Sequence, residues 1–220
     1  DTTAPVIALW GDEPQVLEVC SPYIEGGATA TDNPDTGLVV TVDSTDVDTD
    51  TVGEYTVTYD VTDANGNVAT QASRTVSVVD TTIPVISLIG DAEVTIEVGS
   101  TYVDAGATAT DNYDVGLTVT PDTSGVDSST VGIYTVTFDV TDSNGNAADQ
   151  VTRTVHVEDT GSPVITLLGD AEVTIEVGTT YVDAGATASD IGDGDLTSAI
   201  VTVNPVDDDT VDVYTVTYNG

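Results

Sequence analysis

Oxygen-bearing side chains alternate along two short segments, Asp63-Ala-Asn-Gly-Asn67 and Asp142-Ser-Asn-Gly-Asn146. Ligands at positions i, i+2 and i+4 resemble the start of a calcium loop, since Ca²⁺ binds roughly six to eight oxygen atoms. The glycine stands two places earlier than in a helix-loop-helix calcium loop, and no bidentate glutamate follows. Each segment taken alone therefore favours a two-residue Asn-Gly turn between strands, with the aspartate as a strand-end cap.

The two segments lie 79 residues apart, and the same interval separates three copies of an opening phrase. Asp1, Asp80 and Asp159 begin the phrases DTTAPVI, DTTIPVI and DTGSPVI. Segments 90–111 and 169–190 differ at only two of 22 positions. A repeat of this length is a small domain rather than a solenoid unit. We therefore predict three tandem domains, over residues 1–79, 80–158 and 159–220, and functional residues that recur with this period.

Within each repeat, apolar and polar residues alternate with a period of two. Tyr55, Val57, Tyr59 and Val61 share one face of segment 55–62, as in a half-buried strand. About six or seven such strands per repeat, separated by turns, predict an all-β fold of tandem immunoglobulin-like antiparallel β-sandwiches. Because Cys20 is the only cysteine, no intrachain disulfide forms. The other strand segments are 5–9, 37–42, 74–78, 94–98 and 153–157.

Acidic residues dominate the charge. Asp and Glu number 39 against two Arg and no Lys, which gives a net charge of −37. Phosphate binding needs cationic side chains, so nucleic acid is excluded as a partner. No apolar run approaches the ~18 residues that span a bilayer, so direct membrane insertion is not expected. Two explanations of the charge remain open: a surface solvated at high salt, or one partly neutralised by divalent cations.

A larger candidate metal site is predicted at the junctions between repeats. Immunoglobulin topology places the start of a domain and its last hairpin at one end, and we expect the loop after the third strand at the other. Carboxylates that converge there repel one another unless a cation lies between them, and calcium would stiffen the linker. The alternative is a set of solvated turn residues. The candidate calcium ligands are Asp32, Asn33 and Asp35 beside Asp80, with Asp142, Asn144 and Asn146 completing the first junction, and Asp111, Asp114 and Asp159 at the second.

Catalysis has no support in the residue types. His156 is the only histidine, so a general base, a catalytic triad and a zinc site lack their main residue. Cys20 has no basic neighbour that would activate it. The tyrosines recur at strand positions and predict core packing, as does Trp10, which replaces Ile89 of the next repeat. Tyr113 alone stands outside the period, and one aromatic residue is not a carbohydrate platform.

The third repeat ends before its last hairpin and strand, since Tyr218 aligns with Phe138 and 20 residues follow that point in repeat 2. Two interpretations stay open. The simpler one is that the sequence stops inside the domain. The other is that a neighbouring chain donates the missing strand, as in strand-complemented filaments.

The phrases DTTAPVI (1–7), YVDAGATATD (102–111), TVGIYTVTFDVTDSNGN (130–146) and RTVHV (153–157) carry a family resemblance. With them, the chain resembles bacterial immunoglobulin-like surface domains, akin to hyalin repeats, which occur in adhesins and secreted multidomain proteins. The resemblance covers all three repeats and implies a structural or spacer role without catalysis.

The function predicted from the sequence is a non-catalytic spacer module of a secreted or surface-anchored bacterial protein, an adhesin-like stalk with calcium at its junctions. One alternative is a filament or surface-layer subunit. Another is an accessory binding module of a secreted hydrolase, which predicts a non-recurring exposed aromatic cluster. The expected partners are other domains of the same or neighbouring copies, through self-association, or a cell-surface receptor.

Overall fold

The computed structural model describes residues 1–33 and 35–220 of the chain. The described residues form short β-strands and a single 3-10 turn, and none of their helices is long and apolar enough to span a membrane. Repeat 1 contains β1 (Val6–Leu9), β2 (Gln15–Glu18), β3 (Ala28–Thr31), β4 (Thr41–Asp43), β5 (Gly53–Asp60) and β6 (Ala72–Val79). Repeat 2 contains β7 (Val85–Leu88), β8 (Glu93–Glu97), β9 (Ala107–Thr110), β10 (Thr120–Asp122), β11 (Gly132–Asp139) and β12 (Val151–Glu158). Repeat 3 contains β13 (Val164–Leu167), β14 (Ala186–Asp190), β15 (Gly194–Asp195), the 3-10 turn (Thr197–Ala199), β16 (Val201–Val203) and β17 (Thr217–Asn219).

Each of the first two repeats has a two-stranded and a four-stranded sheet. In repeat 1 these are β1-β3 and β2-β6-β5-β4, and in repeat 2 they are β7-β9 and β8-β12-β11-β10. The strand β2 runs parallel to β6, and β8 runs parallel to β12, whereas β5 and β6 are antiparallel. The all-β prediction of immunoglobulin-like sandwiches without a disulfide is confirmed.

The alternating pattern of the sequence predicts the core of repeat 1 correctly. Val57 and Tyr59 on β5 and Val76 and Val78 on β6 are at most 1% exposed. Residues of β1 and β3 pack against this cluster from the other sheet. The Tyr55 hydroxyl donates to the carbonyl oxygen of Thr51 at 2.8 Å, a contact similar to the tyrosine corner of immunoglobulin sandwiches.

The hairpin between β5 and β6 differs from the predicted two-residue turn. The backbone N–H of Asp63 donates to the carbonyl of Asn67, which encloses three residues instead of two. Gly66 has a φ of 91°, a left-handed conformation that glycine adopts without steric penalty. Three-residue loops of this kind add a bulge, so the strands pair regularly only from Tyr59 and Ala72 onwards.

Each of the first two repeats buries one arginine in its core. Arg74 on β6 and Arg153 on β12 are both 1% exposed, and they are 79 residues apart. Arg153 pairs with Asp104, and its guanidinium lies 5.5 Å from the centre of the Phe138 ring. Arg74 pairs with Glu25 and lies over Tyr59. Sequence reasoning missed this feature, although the recurrence of the only two cationic side chains was a visible signal.

The chain divides into two compact units that do not follow the 79-residue period. The predicted domain boundaries after residues 79 and 158 therefore stay a prediction. The first unit comprises Asp1–Ser87, Thr108–Val119 and Asp139–Asp149, and the second comprises Leu88–Ala107, Thr120–Phe138 and Gln150–Gly220.

Candidate metal centre

Strand pairing returns one acidic loop to the start of its own repeat. The strands β1 and β3 are antiparallel with Val6 opposite Thr31, so the residues after Thr31 lie beside those before Val6. The strands β7 and β9 form the corresponding pair in repeat 2. Asp111, which follows β9, therefore lies at the same end of repeat 2 as Asp80, which precedes β7.

Four carboxylates meet at this end of repeat 2. One oxygen atom from each of Asp80, Asp111, Asp114 and Asp142 lies within 4.8 Å of the other three, and we call this group the Asp80 cluster. Asp80 and Asp142 are only 6% and 8% exposed. Two oxygens bound to one Ca²⁺ at about 2.4 Å are at most about 4.8 Å apart. The Asp80 cluster therefore has the spacing of ligands for one hard cation.

Two asparagines of the hairpin after β11 hold the carboxylates in place. Asp142 Oδ1 accepts hydrogen bonds from the backbone N–H groups of Asn144 (2.9 Å) and Asn146 (2.7 Å). The Asn144 side-chain nitrogen donates to Asp80 Oδ2, and that of Asn146 donates to the Asp80 carbonyl, both at 3.1 Å. Both side chains thus direct amide nitrogens at the acids, so they serve as positioning donors rather than as oxygen ligands.

Asp111 keeps one carboxylate oxygen without a donor. Its Oδ2 accepts hydrogen bonds from the backbone N–H groups of Tyr113 and Asp114, each at 3.0 Å. Its Oδ1 is buried and has no hydrogen-bond partner among the described residues. A buried polar atom without a partner is unfavourable, and a bound cation would supply that partner.

The electrostatics of the Asp80 cluster also favour a cation. Burial raises the pKa of Asp80, and the neighbouring charges of Asp111, Asp142 and Glu18 raise it further. Burial acts in the same direction on Asp142, but hydrogen bonds from the hairpin outweigh it and lower the pKa of Asp142. Asp142 is therefore held as an anion beside an Asp80 whose own charge is unfavourable, and a cation would relieve this repulsion.

The same arrangement recurs in the other repeats. One oxygen from each of Asp1, Asp32 and Asp63 lies within 4.8 Å of the others, and Oδ2 of Asp32 is buried without a donor in the described part of the chain. Oδ1 of Asp159 is likewise buried without a described donor. Burial, followed by the acids of the loop 190–193, raises the pKa of Asp159. The acidic groups therefore meet the requirement that functional residues recur with the period.

The acidic loop lies at the other end of its repeat from the one that the sequence predicts. The inferred topology places Asp32, Asn33 and Asp35 beside Asp80, whereas the structure groups Asp32 with acids of its own repeat. Asp35 accepts a hydrogen bond from the backbone N–H of Ala64 at 3.0 Å, and Asn33 is exposed. The prediction was wrong because the pairing of the third strand with the first is not visible in the alternation pattern.

The remaining predicted residues separate in the same way. Asp159, predicted beside Asp111 and Asp114, lies with the acids of repeat 3. Sequence reasoning also missed Asp1 and Asp190 as members of these groups, although both follow the 79-residue period. The structure places the other candidates around Asp80, and these are Asp111, Asp114, Asp142, Asn144 and Asn146. Metal binding by any of them remains a prediction.

Glu18, the last residue of β2, holds the linker that follows repeat 1. Its carboxylate accepts hydrogen bonds of 2.7–3.2 Å from the backbone N–H and side-chain hydroxyl groups of Thr81 and Thr82. These bonds, led by those of Thr81, lower the pKa of Glu18 to about 2. Glu97, 79 residues later, makes the corresponding contacts with residues 160–161.

The loop that carries Asp111 and Asp114 also contacts repeat 1. The Tyr113 ring packs against the core cluster of repeat 1, and the Cys20 Sγ lies 3.9 Å from the carbonyl oxygen of Asn112. Tyr113, the one tyrosine outside the period, is therefore a contact residue between the first two repeats. A cation on the Asp80 cluster would hold the same loop that presents Tyr113 to repeat 1.

Trp10 is less buried than the sequence predicts. Its side chain is 56% exposed, and Ile89 and Leu168 in the same slot are each 48% exposed. The slot instead contributes its main chain to the interior, since Arg74 donates to the Trp10 carbonyl and Arg153 to the Ile89 carbonyl.

The paired sheets, the tyrosine corner and the acidic groups define a tandem array of immunoglobulin-like β-sandwiches. The chain belongs to the family described as bacterial surface protein, Ig-like domain, whose model matches residues 7–78, 86–157 and 165–220. The family resemblance seen in the sequence is thereby confirmed. Membership supports a structural surface module that lies outside the cell or on its surface.

The relatives of the chain include animal and viral proteins. Hyalin from Lytechinus variegatus is 35% identical over 99% of this chain, and hyalin from Strongylocentrotus purpuratus is 33% identical over 87%. An uncharacterised 81.3 kDa protein of Acholeplasma phage L2 is 32% identical over 83%. The chain spans 43%, 17% and 26% of the lengths of these three proteins, respectively. A solved lipoprotein of Bacteroides thetaiotaomicron is 26% identical, with a TM-score of 0.29 over 36% of this chain and 40% of its own.

Proposed function

We propose that this chain is a non-catalytic stalk segment of a bacterial surface protein, and that calcium at the Asp80 cluster stiffens the joint between repeats 1 and 2. The observation that carries the proposal is the buried Asp80 carboxylate among three further acids, beside a buried Asp111 oxygen without a donor. Oxygen ligands without histidine or cysteine suit Ca²⁺ better than Zn²⁺.

The joint is anchored on both sides of the linker. Glu18 of repeat 1 binds the backbone and hydroxyl groups of Thr81 and Thr82. The preceding residue, Asp80, belongs to the acidic cluster of repeat 2. A cation there would fix Asp80 to the loop that bears Tyr113, which packs on repeat 1. Bending at the linker would then require breaking contacts on both sides, so the bound joint is stiffer.

The experiment measures the spread of distances between the two repeats. Spin labels are attached at Ser73→Cys and Thr152→Cys, equivalent exposed positions on β6 and β12, in a Cys20→Gly background. In about 5 mM calcium, above the ~10⁻⁴–10⁻³ M dissociation constants of extracellular calcium modules, we expect a narrower distance distribution than in EDTA. Asp80→Asn should abolish the narrowing, whereas Asp46→Asn, an equal charge change on an exposed loop, should preserve it. Equal widths with and without calcium would overturn the proposal.

A second candidate function is a filament or surface-layer subunit. It is favoured by a cavity of about 800 Å³ in repeat 3 that is lined by apolar side chains, among them Val173, Ile175 and Val216. A neighbouring chain that supplies a strand to this cavity would join subunits end to end. Sedimentation velocity of the longer natural polypeptide tests this candidate, which requires a mass that rises with protein concentration.

A further inference from the structure

Repeat 3 contains an open groove where the first two repeats have their last strand. In repeat 2, β12 lies between β8 and β11, parallel to the former and antiparallel to the latter. The equivalents of β8 and of most of β11 in repeat 3, residues 172–176 and 213–216, are not paired as strands. Both segments line the 800 Å³ cavity. They are the two edges between which a further strand would fit.

The exposure of matching residues measures what the groove lacks. Val98 is 3% exposed in repeat 2, whereas its counterpart Val177 is 57% exposed. Phe138 is fully buried, but its counterpart Tyr218 is partly exposed. These apolar surfaces face the cavity and would be covered by the side chains of an added strand.

The groove also retains the acceptors of an arginine. In repeat 2, Arg153 pairs with Asp104 and donates to the carbonyl oxygens of Ile89, Asp91 and Gly106. Repeat 3 has all four counterparts, which are Asp183, Leu168, Asp170 and Gly185. The first three of these line the cavity.

Asp183 has no cationic partner in the described part of the chain. Its carboxylate instead accepts hydrogen bonds from the hydroxyls of Tyr218 and Tyr181 and from the Gly185 N–H. The chain has no lysine, and both of its arginines are engaged in their own repeats. A cation for Asp183 must therefore arrive with the strand that fills the groove.

We propose that the groove of repeat 3 binds an extended segment of the pattern Arg-x-Val-x-Val that lies outside residues 1–220. The arginine would pair with Asp183, and the valines would cover the exposed apolar wall. This is the pattern of β6 and β12, which read Arg74-Thr-Val-Ser-Val and Arg153-Thr-Val-His-Val. The segment would pair parallel to residues 172–176 and antiparallel to residues 211–218, as β12 pairs in repeat 2.

The test uses a synthetic peptide that copies residues 150–158, QVTRTVHVE, added to the intact 220-residue chain. Titration calorimetry measures affinity, and amide exchange over residues 172–177 locates the binding. A matched peptide carries citrulline in place of arginine, which keeps the shape and removes the charge. We expect the arginine peptide to bind at least about tenfold more tightly and to protect residues 172–177, because a hydrogen-bonded charge pair is lost with citrulline.

The variant Asp183→Asn supplies the complementary arm, in which both peptides should bind with similar affinity. Failure of the arginine peptide to bind, or equal binding of both peptides to the unmodified chain, would overturn the proposal. If Asp183→Asn does not fold, the two peptides compared on the unmodified chain still decide. The inference rests neither on calcium nor on assembly, because the peptide is a single strand and the titration runs in EDTA.

Discussion

The Arg153 guanidinium lies 2.6 Å from the Asp104 carboxylate, and the two side chains are only 1% and 3% exposed. The pair stands on β12, the last strand of repeat 2, and on the segment before β9. It therefore joins the two sheets of the sandwich from inside. Arg74 and Glu25 hold the corresponding positions in repeat 1 at 3.3 Å.

Removing one partner of this pair should be strongly destabilising. Arg153→Met leaves the Asp104 charge buried, with donors only from Tyr102 and the Gly106 N–H. Loss of one member of a buried ion pair costs about 3–5 kcal/mol of unfolding free energy. The double variant Arg153→Met/Asp104→Leu should recover much of this loss, because no unpaired charge remains. Urea denaturation of the three proteins measures the difference. A single variant no less stable than the double variant would contradict the account.

Replacing Cys20 by glycine should stabilise the first repeat. Cys20 has a φ of 63°, and its counterparts Gly99 and Gly178 have φ values of 77° and 79°. The left-handed conformation is unfavourable by about 1 kcal/mol for a residue with a Cβ atom, and glycine escapes that penalty. Chemical denaturation should therefore show Cys20→Gly more stable than the unmodified chain. Cys20→Ala is the control, because it removes the thiol and keeps the Cβ, and identical stabilities for the two variants would refute the strain.

The Glu18 contact with the linker should be lost in acid. Hydrogen bonds from Thr81 and Thr82 lower the pKa of Glu18 from 4.5 to about 2 in the folded chain. A group whose pKa is lowered by folding stabilises the fold above its unfolded pKa, and this contribution disappears as the pH falls towards the folded pKa. The stability difference between the unmodified chain and Glu18→Gln should therefore be full near pH 6 and shrink between about pH 4.5 and pH 2.

Urea denaturation at a series of pH values measures that difference. Glu54→Gln is the matched control, since Glu54 is exposed on β5 and the substitution changes the charge equally. A Glu18→Gln difference that stays constant from pH 6 to pH 2 would show that the carboxylate does not hold the linker.

The strand pattern predicts the fold more completely than the site. Alternation identifies the buried faces of β5 and β6, because one residue in two must point into the sandwich. It contains no information on which strands pair. For that reason, Asp32 was predicted at the wrong end of its repeat, although β3 pairs with β1 along its whole length.

The period identifies recurring residues but not their surroundings. Arg74 and Arg153 are 79 residues apart, yet their burial follows from acceptors contributed by distant segments such as residues 89–106. Tyr113 is invisible to a test of recurrence because it belongs to one joint only. Contacts that join repeats, or that depend on carbonyl groups, become evident only from the structure.

Calcium titration calorimetry tests the central claim, cation binding at the Asp80 cluster, most directly. The unmodified chain, Asp80→Asn and Asp46→Asn are titrated with calcium chloride at about 0.15 M sodium chloride, where exposed charges are screened beyond about 8 Å. Magnesium chloride at equal ionic strength serves as the ion control. The account predicts calcium-specific heat with one fewer site in Asp80→Asn, and an unchanged titration for Asp46→Asn. Equal heats for calcium and magnesium, or an Asp80→Asn titration identical to that of the unmodified chain, would contradict it.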